Sequence, residues 1–204
     1  MGGYFALHQG FDRDVSLAVT EQYLPIGLDS KTPKKPFSVA LSLTDRIDTL
    51  VVFIAQKLEL QARAGADVLM IFDSWSHMIP YPYFHEFGIK PIAKIIELLR
   101  SQNIKQPVIG FPFKAGTSLI QYSYESNVDC LALDWTVDLD WAVKNLNSSI
   151  AFQGNLDPSS LISENNSYLE ENVRLTIQKM KDRKFIFSVG HGLTPDCKIK
   201  NVEN

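Results

Sequence analysis

Val68-Leu69-Met70-Ile71-Phe72 is a short, continuous apolar run, and the polar residues Asp73 and Ser74 follow it at once. A run of this length without polar alternation is typical of a strand that is buried on both faces of a parallel sheet. Ahead of it, apolar residues recur at helical spacing between Thr44, a plausible N-cap, and Gly65. The stretch from 44 to 74 therefore predicts a helix, then a buried strand, then a polar strand end.

The same order of elements is repeated towards the C-terminus. Further strands are predicted over 108–113, 131–133, 150–152 and 185–187, and further helices over 92–99, 117–125, 140–146 and 169–180. In the last of these helices, Val173, Ile177 and Met180 fall on one face. Five strands that alternate with helices indicate α/β architecture with a parallel sheet.

Polar or glycine residues follow every predicted strand directly. They are Asp73-Ser74, Lys114-Ala115-Gly116, Asp134-Trp135-Thr136, Gln153-Gly154-Asn155 and Gly190-His191-Gly192. In a (β/α)8 TIM barrel, functional groups lie at the carboxyl ends of the strands, whereas an open doubly wound sheet gathers them at one switch point. Five such strand ends favour the barrel. Because a whole barrel takes about 250 residues, the sequence predicts about five of its eight βα units, with the barrel incomplete at its N-terminal side.

The first 43 residues differ from the rest in composition and in periodicity. They are rich in Gly and Pro and contain no long periodic stretch, although a short helix over 14–23 is possible. We therefore divide the chain into an irregular N-terminal segment, 1–43, and the C-terminal part of a TIM barrel, 44–204.

The composition excludes several classes of protein. The 204 residues include 20 basic and 23 acidic side chains, a net charge of -3, and this balance lacks the dense basic face that nucleic-acid binding needs. No apolar run approaches the roughly 18 residues of a membrane span. Asp12, Arg13 and Asp14 stand where a signal peptide would be apolar. Cys130 and Cys197 lack the paired spacing of a zinc or redox motif, so we expect a reduced, cytoplasmic protein with neither nucleic-acid nor membrane partners.

Four segments at the predicted strand ends resemble the uroporphyrinogen decarboxylase family of the haem pathway. They are Ile71-Phe72-Asp73-Ser74-Trp75, Leu133-Asp134-Trp135-Thr136, Gln153-Gly154-Asn155-Leu156-Asp157-Pro158 and Gly190-His191-Gly192-Leu193-Thr194-Pro195, in the family's order and spacing. The resemblance covers roughly residues 45–202. It implies a TIM barrel, and it implies homodimers with the active-site mouths near the interface if the barrel is complete.

The resemblance also implies a decarboxylase that uses neither a metal nor an organic cofactor. The family removes the carboxyl groups of the four acetate side chains of uroporphyrinogen III, giving coproporphyrinogen III. Protonation of a pyrrole ring makes a cation that accepts the electrons left when carbon dioxide departs, and a second proton completes the methyl group. By resemblance, Ser74 would contact a substrate carboxylate. His191 would donate hydrogen bonds to the substrate, held between Gly190 and Gly192 so that backbone can approach closely.

The family's catalytic acid is not identified in this chain. In the family, the acid and the carboxylate-binding arginines belong to an N-terminal arginine-rich motif, and an aspartate on an early strand binds the pyrrole N–H groups. Arg13 and Arg46 lie in no matching motif, and neither Tyr4 nor Tyr23 has the context of a further family tyrosine. The catalytic residues are therefore left unassigned.

The candidate substrate-binding residues also have structural interpretations. His191 could be a turn residue that backbone groups satisfy, and Ser74 could cap the helix that follows it. Lys114 could meet a carboxylate, although a solvated lysine is the more ordinary interpretation of its position.

Five further residues, four polar ones and a cysteine, are expected to have structural roles and not catalytic ones. Asp134 is predicted to hold the loop that follows it, and Asp157 to N-cap a helix that starts with proline. His77 and His85 are interpreted as loop residues and not as metal ligands. Cys130 begins an apolar strand, where a free cysteine behaves as a small buried hydrophobe.

Two other functions compete with the enzyme. The chain could be a truncated, catalytically inactive remnant that at most binds tetrapyrrole or dimerises, with aggregation-prone strand edges at 68–72 and 185–189. It could instead resemble the zinc-dependent, corrinoid-linked methyltransferases of the same superfamily, which need His and Cys ligands at strand ends. The segment Phe111-Pro112-Phe113-Lys114 carries no such pair, so no metal site is predicted.

Overall fold

A computed structural model describes residues 36–162 and 166–203 of the chain, with side chains described over 47–162 and 167–202. The chain divides into two units, 1–54 and 55–204. The described part of the first unit is helical, and the second unit contains the β-sheet. The helix predicted over 14–23 lies outside the described residues.

Helices and strands alternate along the described residues. The helices are α1 (Pro36–Arg63), α2 (Tyr81–Phe84), α3 (Lys90–Ser101), α4 (Leu119–Glu125), α5 (Leu139–Asn145), α6 (Asn166–Met180) and α7 (Ile199–Glu203). The strands are β1 (Leu69–Asp73), β2 (Val108–Pro112), β3 (Cys130–Ala132), β4 (Ala151–Leu156) and β5 (Phe185–Val189). None of the helices in these ranges combines the length and the apolar composition that a membrane crossing requires.

The five strands form one parallel sheet in sequence order, β1-β2-β3-β4-β5. Leu69 of β1 pairs with Val108 of β2, and Phe152 of β4 pairs with Phe185 of β5. Consecutive parallel strands joined by helical connections are the repeating unit of a (β/α)8 barrel. The predicted fold class, an incomplete TIM barrel with about five βα units, is confirmed.

Each outer strand of the sheet has one open edge. Over the described ranges, β1 pairs with β2 alone and β5 with β4 alone. Apolar side chains on these two strands face solvent, since Phe72 is 65% exposed and Ile186 is 45% exposed. In a closed barrel every strand has a neighbour on each side. The described sheet is therefore an open segment of the barrel.

The inner strands are apolar on both faces, as the sequence predicts. One face carries a cluster of buried side chains, namely Ile109, Phe111, Cys130 and Ala132. The other face packs against the helices, because a Cβ atom on Gly110 of β2 would lie 2.4 Å from the hydroxyl oxygen of Tyr122 in α4. Burial on both sides explains why these strands lack the polar alternation of a half-exposed sheet.

The described part of α1 starts at Pro36, so the N-cap predicted at Thr44 is wrong. Thr44 lies inside the helix because a residue type that favours caps does not by itself end a helix whose neighbours continue it. The other end agrees better with the prediction. Gly65, two residues after Arg63, has a φ of +103°, a conformation that glycine adopts readily just after a helix.

Two further details differ from the predictions. On α6, Leu169, Thr176 and Met180 are buried, whereas Ile177 is 52% exposed. The buried face thus passes through a threonine that an apolar pattern overlooks. In addition, Gln153-Gly154-Asn155 lies within β4 and not after it, because β4 continues its pairing with β5 up to Leu156.

Candidate active-site cleft

Ser74 and His191 line the same cleft, which has a volume of about 380 Å³. Ser74 follows β1 and His191 lies just beyond β5, so the two residues come from the two outer strands of the sheet. The wall between them includes Phe111 of β2 and Gln153 of β4. The sequence singled out both residues, and the fold brings them to one site.

Aromatic rings form the wall beside His191. The imidazole centroid lies 4.7 Å from the Phe113 ring, 5.9 Å from the Trp135 ring and 6.3 Å from the Phe111 ring. Phe72 continues the wall, edge-on to Phe111 at 6.1 Å. A surface of ring faces and edges suits a flat, unsaturated ligand, because aromatic groups pack in offset or edge-to-face arrangements.

The polar groups of Ser74 and His191 are available to a ligand. Both side chains are exposed, and neither has a hydrogen-bond partner among residues 36–162 and 166–203. The interpretation of His191 as a turn residue satisfied by backbone groups is therefore wrong, because its neighbours are rings.

Asp73 explains why Ser74 is not needed as a cap. The backbone N–H groups of Trp75 and Ser76, at the start of the turn Ser76–Met78, act on the Asp73 carboxylate and lower its pKa by hydrogen bonding. Burial nevertheless raises the pKa of Asp73, because desolvation outweighs these hydrogen bonds and the nearby charge of His77. The aspartate supports the strand end and leaves the serine hydroxyl facing the cleft.

Asp134 connects the loops that follow β2 and β3. Its buried carboxylate accepts a 3.0 Å hydrogen bond from the Lys114 amide, a 2.9 Å bond from the Thr136 amide and a further bond from the Thr136 hydroxyl. The Asn155 side-chain amide donates to the carbonyl oxygens of Asp134 at 3.0 Å and Val137 at 2.7 Å. The prediction that Asp134 holds its own loop is confirmed, and the carboxylate also holds the neighbouring loop.

Gly190 brings the end of β5 against the same loop. Its amide donates to the Leu156 carbonyl oxygen at 2.8 Å, and a Cβ atom on it would lie 2.4 Å from the Trp135 nitrogen. Only glycine allows this approach of two backbones. Gly192 differs, since a Cβ atom there would meet nothing within 4 Å. The predicted close approach of backbone therefore holds for Gly190 alone.

The structural roles predicted for Asp157 and Cys130 are confirmed. The Asp157 carboxylate caps the turn Pro158–Leu161 by accepting from the Ser159 amide at 2.9 Å, as predicted. Cys130 is buried in the sheet, and burial raises the pKa of its thiol to about 12. Within the described ranges, no group of three or more His, Cys, Asp or Glu side chains is arranged to hold a metal ion.

The prediction that His77 and His85 lie in loops is wrong. His77 lies in the 3-10 turn Ser76–Met78, and His85 begins a π-helical turn and makes a 3.0 Å contact with Glu125. The prolines between them do not prevent helical structure, because they lie before and within the first turn of α2, where a missing N–H group breaks no hydrogen bond.

Sequence reasoning missed the aromatic wall and the Asn155 amide. Phe111 lies near the end of β2 and Phe113 follows two residues later, just after the strand; this spacing could have indicated two rings on one face of the sheet. Asn155 gave no comparable signal, because its two partners, Asp134 and Val137, lie in a different loop of the chain.

Comparison with known proteins gives two matches to family models. Residues 39–204 match the model described as uroporphyrinogen decarboxylase (URO-D). Residues 1–64 match a second model, described as the glycyl-tRNA synthetase beta subunit. The two matches share residues 39–64, and the residues ahead of 39, which the sequence analysis could not assign, fall in the second match.

Individual relatives agree with the first match. The uroporphyrinogen decarboxylase of Orientia tsutsugamushi strain Boryong is 38% identical over 161 residues, which are 79% of this chain and 47% of the relative. That of Maricaulis maris is 37% identical over 157 residues, 77% of this chain and 45% of the relative. That of Brucella canis is 39% identical over 149 residues, 73% of this chain and 43% of the relative. The chain spans about half the length of these relatives.

Proposed function

The chain belongs to the uroporphyrinogen decarboxylase family, and on that premise we propose that it supplies one side of the active site of a uroporphyrinogen decarboxylase. The proposed reaction converts uroporphyrinogen III into coproporphyrinogen III in haem and porphyrin biosynthesis by removing the acetate carboxyl groups, without a metal or an organic cofactor. The observation that carries the proposal is the convergence of Ser74 and His191, from the two outer strands, on one cleft.

The chemistry of the cleft matches that of a tetrapyrrole. Such a substrate combines flat pyrrole rings with carboxylate side chains, so it needs both ring contacts and hydrogen-bond donors. Phe111 and its neighbours offer ring contacts. In the proposed complex, the Ser74 hydroxyl donates to a substrate carboxylate and a ring N–H of His191 donates to the substrate. These bonds orient the ring system so that one acetate group reaches the site of reaction.

The proposed residues bind and orient the substrate but do not supply its proton. Loss of carbon dioxide needs an acid beside the pyrrole ring and an anion facing the pyrrole N–H groups. We assign no residue of this chain to those steps. We propose that they belong to the part of the family barrel that lies outside the match to this chain.

A catalytically inactive remnant is the second candidate function. It is favoured by the open edges of β1 and β5 over the described ranges and by the solvent exposure of Phe72 and Ile186. An exposed edge of this kind pairs readily with other chains. On this hypothesis, the chain binds tetrapyrrole or dimerises but does not turn over substrate.

We also propose a homodimer for the completed barrel and the cytoplasm as its compartment. The dimer rests on the family resemblance. The compartment is supported by two free thiols, Cys130 and Cys197, which persist in reducing surroundings.

The experiment that separates the two candidates joins residues 39–204 to the preceding half of the Orientia tsutsugamushi relative and assays the formation of coproporphyrinogen. The enzyme proposal expects turnover, which His191→Asn should lower by about 100-fold because the shorter amide cannot place an N–H group where the imidazole ring places it. His85→Asn is the matched control, since His85 contacts Glu125. A folded fusion that binds uroporphyrin without turnover would favour the remnant.

A further inference from the structure

Lys114 is a cation to which the family resemblance assigns no role. It does not line the cleft itself, but it lies over two rings that contact His191, a residue that does. Its ammonium nitrogen lies 5.1 Å from the centroid of the Phe113 ring and 5.1 Å from the centroid of the Trp135 ring. The same two rings contact His191, at 4.7 Å and 5.9 Å between centroids. Lys114 and His191 therefore share one aromatic wall.

The ammonium group of Lys114 has no anionic partner in the described part of the chain. Other lysines there do have one: Lys90 contacts Glu86 at 2.5 Å, and Lys179 contacts Asp140 at 2.6 Å. Among the described residues, no carboxylate oxygen comes within 4.0 Å of the Lys114 nitrogen. The ring faces attract the cation without neutralising it, so its charge is available to an anionic ligand.

The backbone of Lys114 is held in a conformation that residues with side chains rarely adopt. Its φ of +54° is in the left-handed region, which favours glycine. The Lys114 amide donates a 3.0 Å hydrogen bond to the buried Asp134 carboxylate, and this bond holds the turn. A lysine at a position that suits glycine, with its charge over the two rings that contact His191, indicates that the side chain is used.

We propose that Lys114, beside the mouth of the cleft, binds a carboxylate of the tetrapyrrole substrate and determines specificity. The proposal rests on the proposed function, since it needs the cleft to hold a tetrapyrrole. The ammonium donates to the carboxylate while the alkyl stem stays over Phe113 and Trp135. A local cation would offset the repulsion between the chain, which carries a net charge of -3, and a polyanionic substrate. Lys114 is thus more than the solvated lysine that its sequence position indicates.

Porphyrin binding by the full 204-residue chain tests this role, with uroporphyrin III and coproporphyrin III as fluorescent probes. Uroporphyrin carries acetate and propionate groups, whereas coproporphyrin lacks the acetates. Lys114→Met keeps the Cβ atom and most of the unbranched side chain but removes the charged ammonium group, so it should raise the Kd for uroporphyrin about fivefold or more. Lys114→Arg should stay within about twofold of wild type. Lys105→Met, at an exposed lysine in the loop before β2, should leave the Kd unchanged.

A comparison of the two probes identifies the group that Lys114 binds. A loss confined to uroporphyrin points to an acetate, and an equal loss with both probes points to a propionate. The dependence of binding on salt should also weaken in Lys114→Met, because one charge contact is removed. A Kd for uroporphyrin that is the same in wild type and Lys114→Met would overturn the role of Lys114 and leave the proposed function standing. Absence of uroporphyrin binding by the wild-type chain would also overturn the role of Lys114, whereas turnover by the fusion described above decides the proposed function.

Lys114→Gly separates binding from a purely structural role. Glycine suits the left-handed backbone, so this variant should unfold at a higher urea concentration than wild type. Its affinity for uroporphyrin should nevertheless fall as far as that of Lys114→Met. If Lys114→Gly binds as tightly as wild type, the residue acts only through its backbone and the proposal is wrong.

Discussion

Gly190 and Trp135 are in direct backbone contact, since a Cβ atom built on Gly190 would lie 2.4 Å from the Trp135 nitrogen. The contact joins the end of β5 to the loop that follows β3. His191 is the next residue, and its ring lies 5.9 Å from the Trp135 ring. The position of His191 at the cleft thus depends on Gly190 having no Cβ atom, because a Cβ atom would push the two backbones apart.

Gly190→Ala should destabilise the fold by about 2 kcal/mol, because its methyl group would force two backbones apart. It should also weaken porphyrin binding through the displacement of His191. Urea unfolding and porphyrin titration measure the two effects. Gly192→Ala is the matched control, because its Cβ atom would meet nothing within 4 Å, and its stability should change by less than about 0.5 kcal/mol. Equal effects of the two substitutions would rule out the contact as their cause.

Tyr122→Phe should leave the stability unchanged or raise it by up to about 1 kcal/mol, because its buried hydroxyl has no hydrogen-bond partner in the described part of the chain. Gly110→Ala should cost about 2 kcal/mol, since its Cβ atom would lie 2.4 Å from that hydroxyl oxygen and 2.8 Å from a methyl of Val128. The double variant should be more stable than the sum of the two single changes in the free energy of unfolding predicts, because removal of the hydroxyl relieves the clash with the new methyl group. Strict additivity in urea unfolding would contradict the contact.

Asp134→Ala should destabilise the fold by about 3 kcal/mol, since its buried carboxylate accepts three hydrogen bonds from Lys114 and Thr136. Asp138→Ala is the comparison, because Asp138 caps α5 through one bond to the Trp141 amide, and it should lose about 1 kcal/mol. Chemical denaturation gives both values. A loss at Asp134 no larger than that at Asp138 would show that the carboxylate does not join the two loops.

Cys130 should resist thiol reagents in the folded chain, because burial raises the pKa of its thiol to about 12 and shields the sulfur. Cys197 is only partly buried, so one thiol per chain should react quickly at pH 8 and the second only in urea. Cys197→Ser should abolish the fast reaction, whereas Cys130→Ser should preserve it. Two fast thiols would mean that the sheet opens readily.

The raised pKa of the buried Cys130 thiol should also make the fold less stable in alkali. The unfolded chain releases the thiol proton near pH 8.5, whereas the folded chain retains it. The free energy of unfolding should therefore decline as the pH rises above that value. Cys130→Ala should reduce this decline, which denaturation at a series of pH values measures. A decline of the same slope in both proteins would exclude Cys130 as its source.

The raised pKa of Asp73 should make the free energy of unfolding depend on pH in the acid range. Burial raises its folded-state pKa above the ordinary value of 3.8, so the folded chain holds the proton more tightly than the unfolded chain. Wild type should therefore gain stability relative to Asp73→Asn as the pH falls from neutrality through the folded-state pKa, and the gain should level off below the unfolded-state pKa. Urea unfolding of both proteins follows the difference. A relative loss of stability in acid would mean that the amides of Trp75 and Ser76 outweigh the burial.

The sequence by itself determined the order of the elements. Continuous apolar runs such as 68–72 predicted strands apolar on both faces, and the helices between them indicated a parallel sheet, because a parallel connection needs a crossover. These inferences succeed because hydrophobic periodicity is a local property of the chain. Ser74 and His191 were singled out by the family resemblance of the strand ends, and their contact with substrate stays a prediction.

Tertiary structure decided how the strand ends meet. Asn155 joins Asp134 and Val137 through one side-chain amide, and Gly190 admits the backbone of Trp135. Lys114 is a loop lysine in the sequence, yet the fold sets its charge over the rings beside His191. These relationships join residues that are distant in the chain, and no local pattern encodes them, because they depend on the register and spacing of parallel strands.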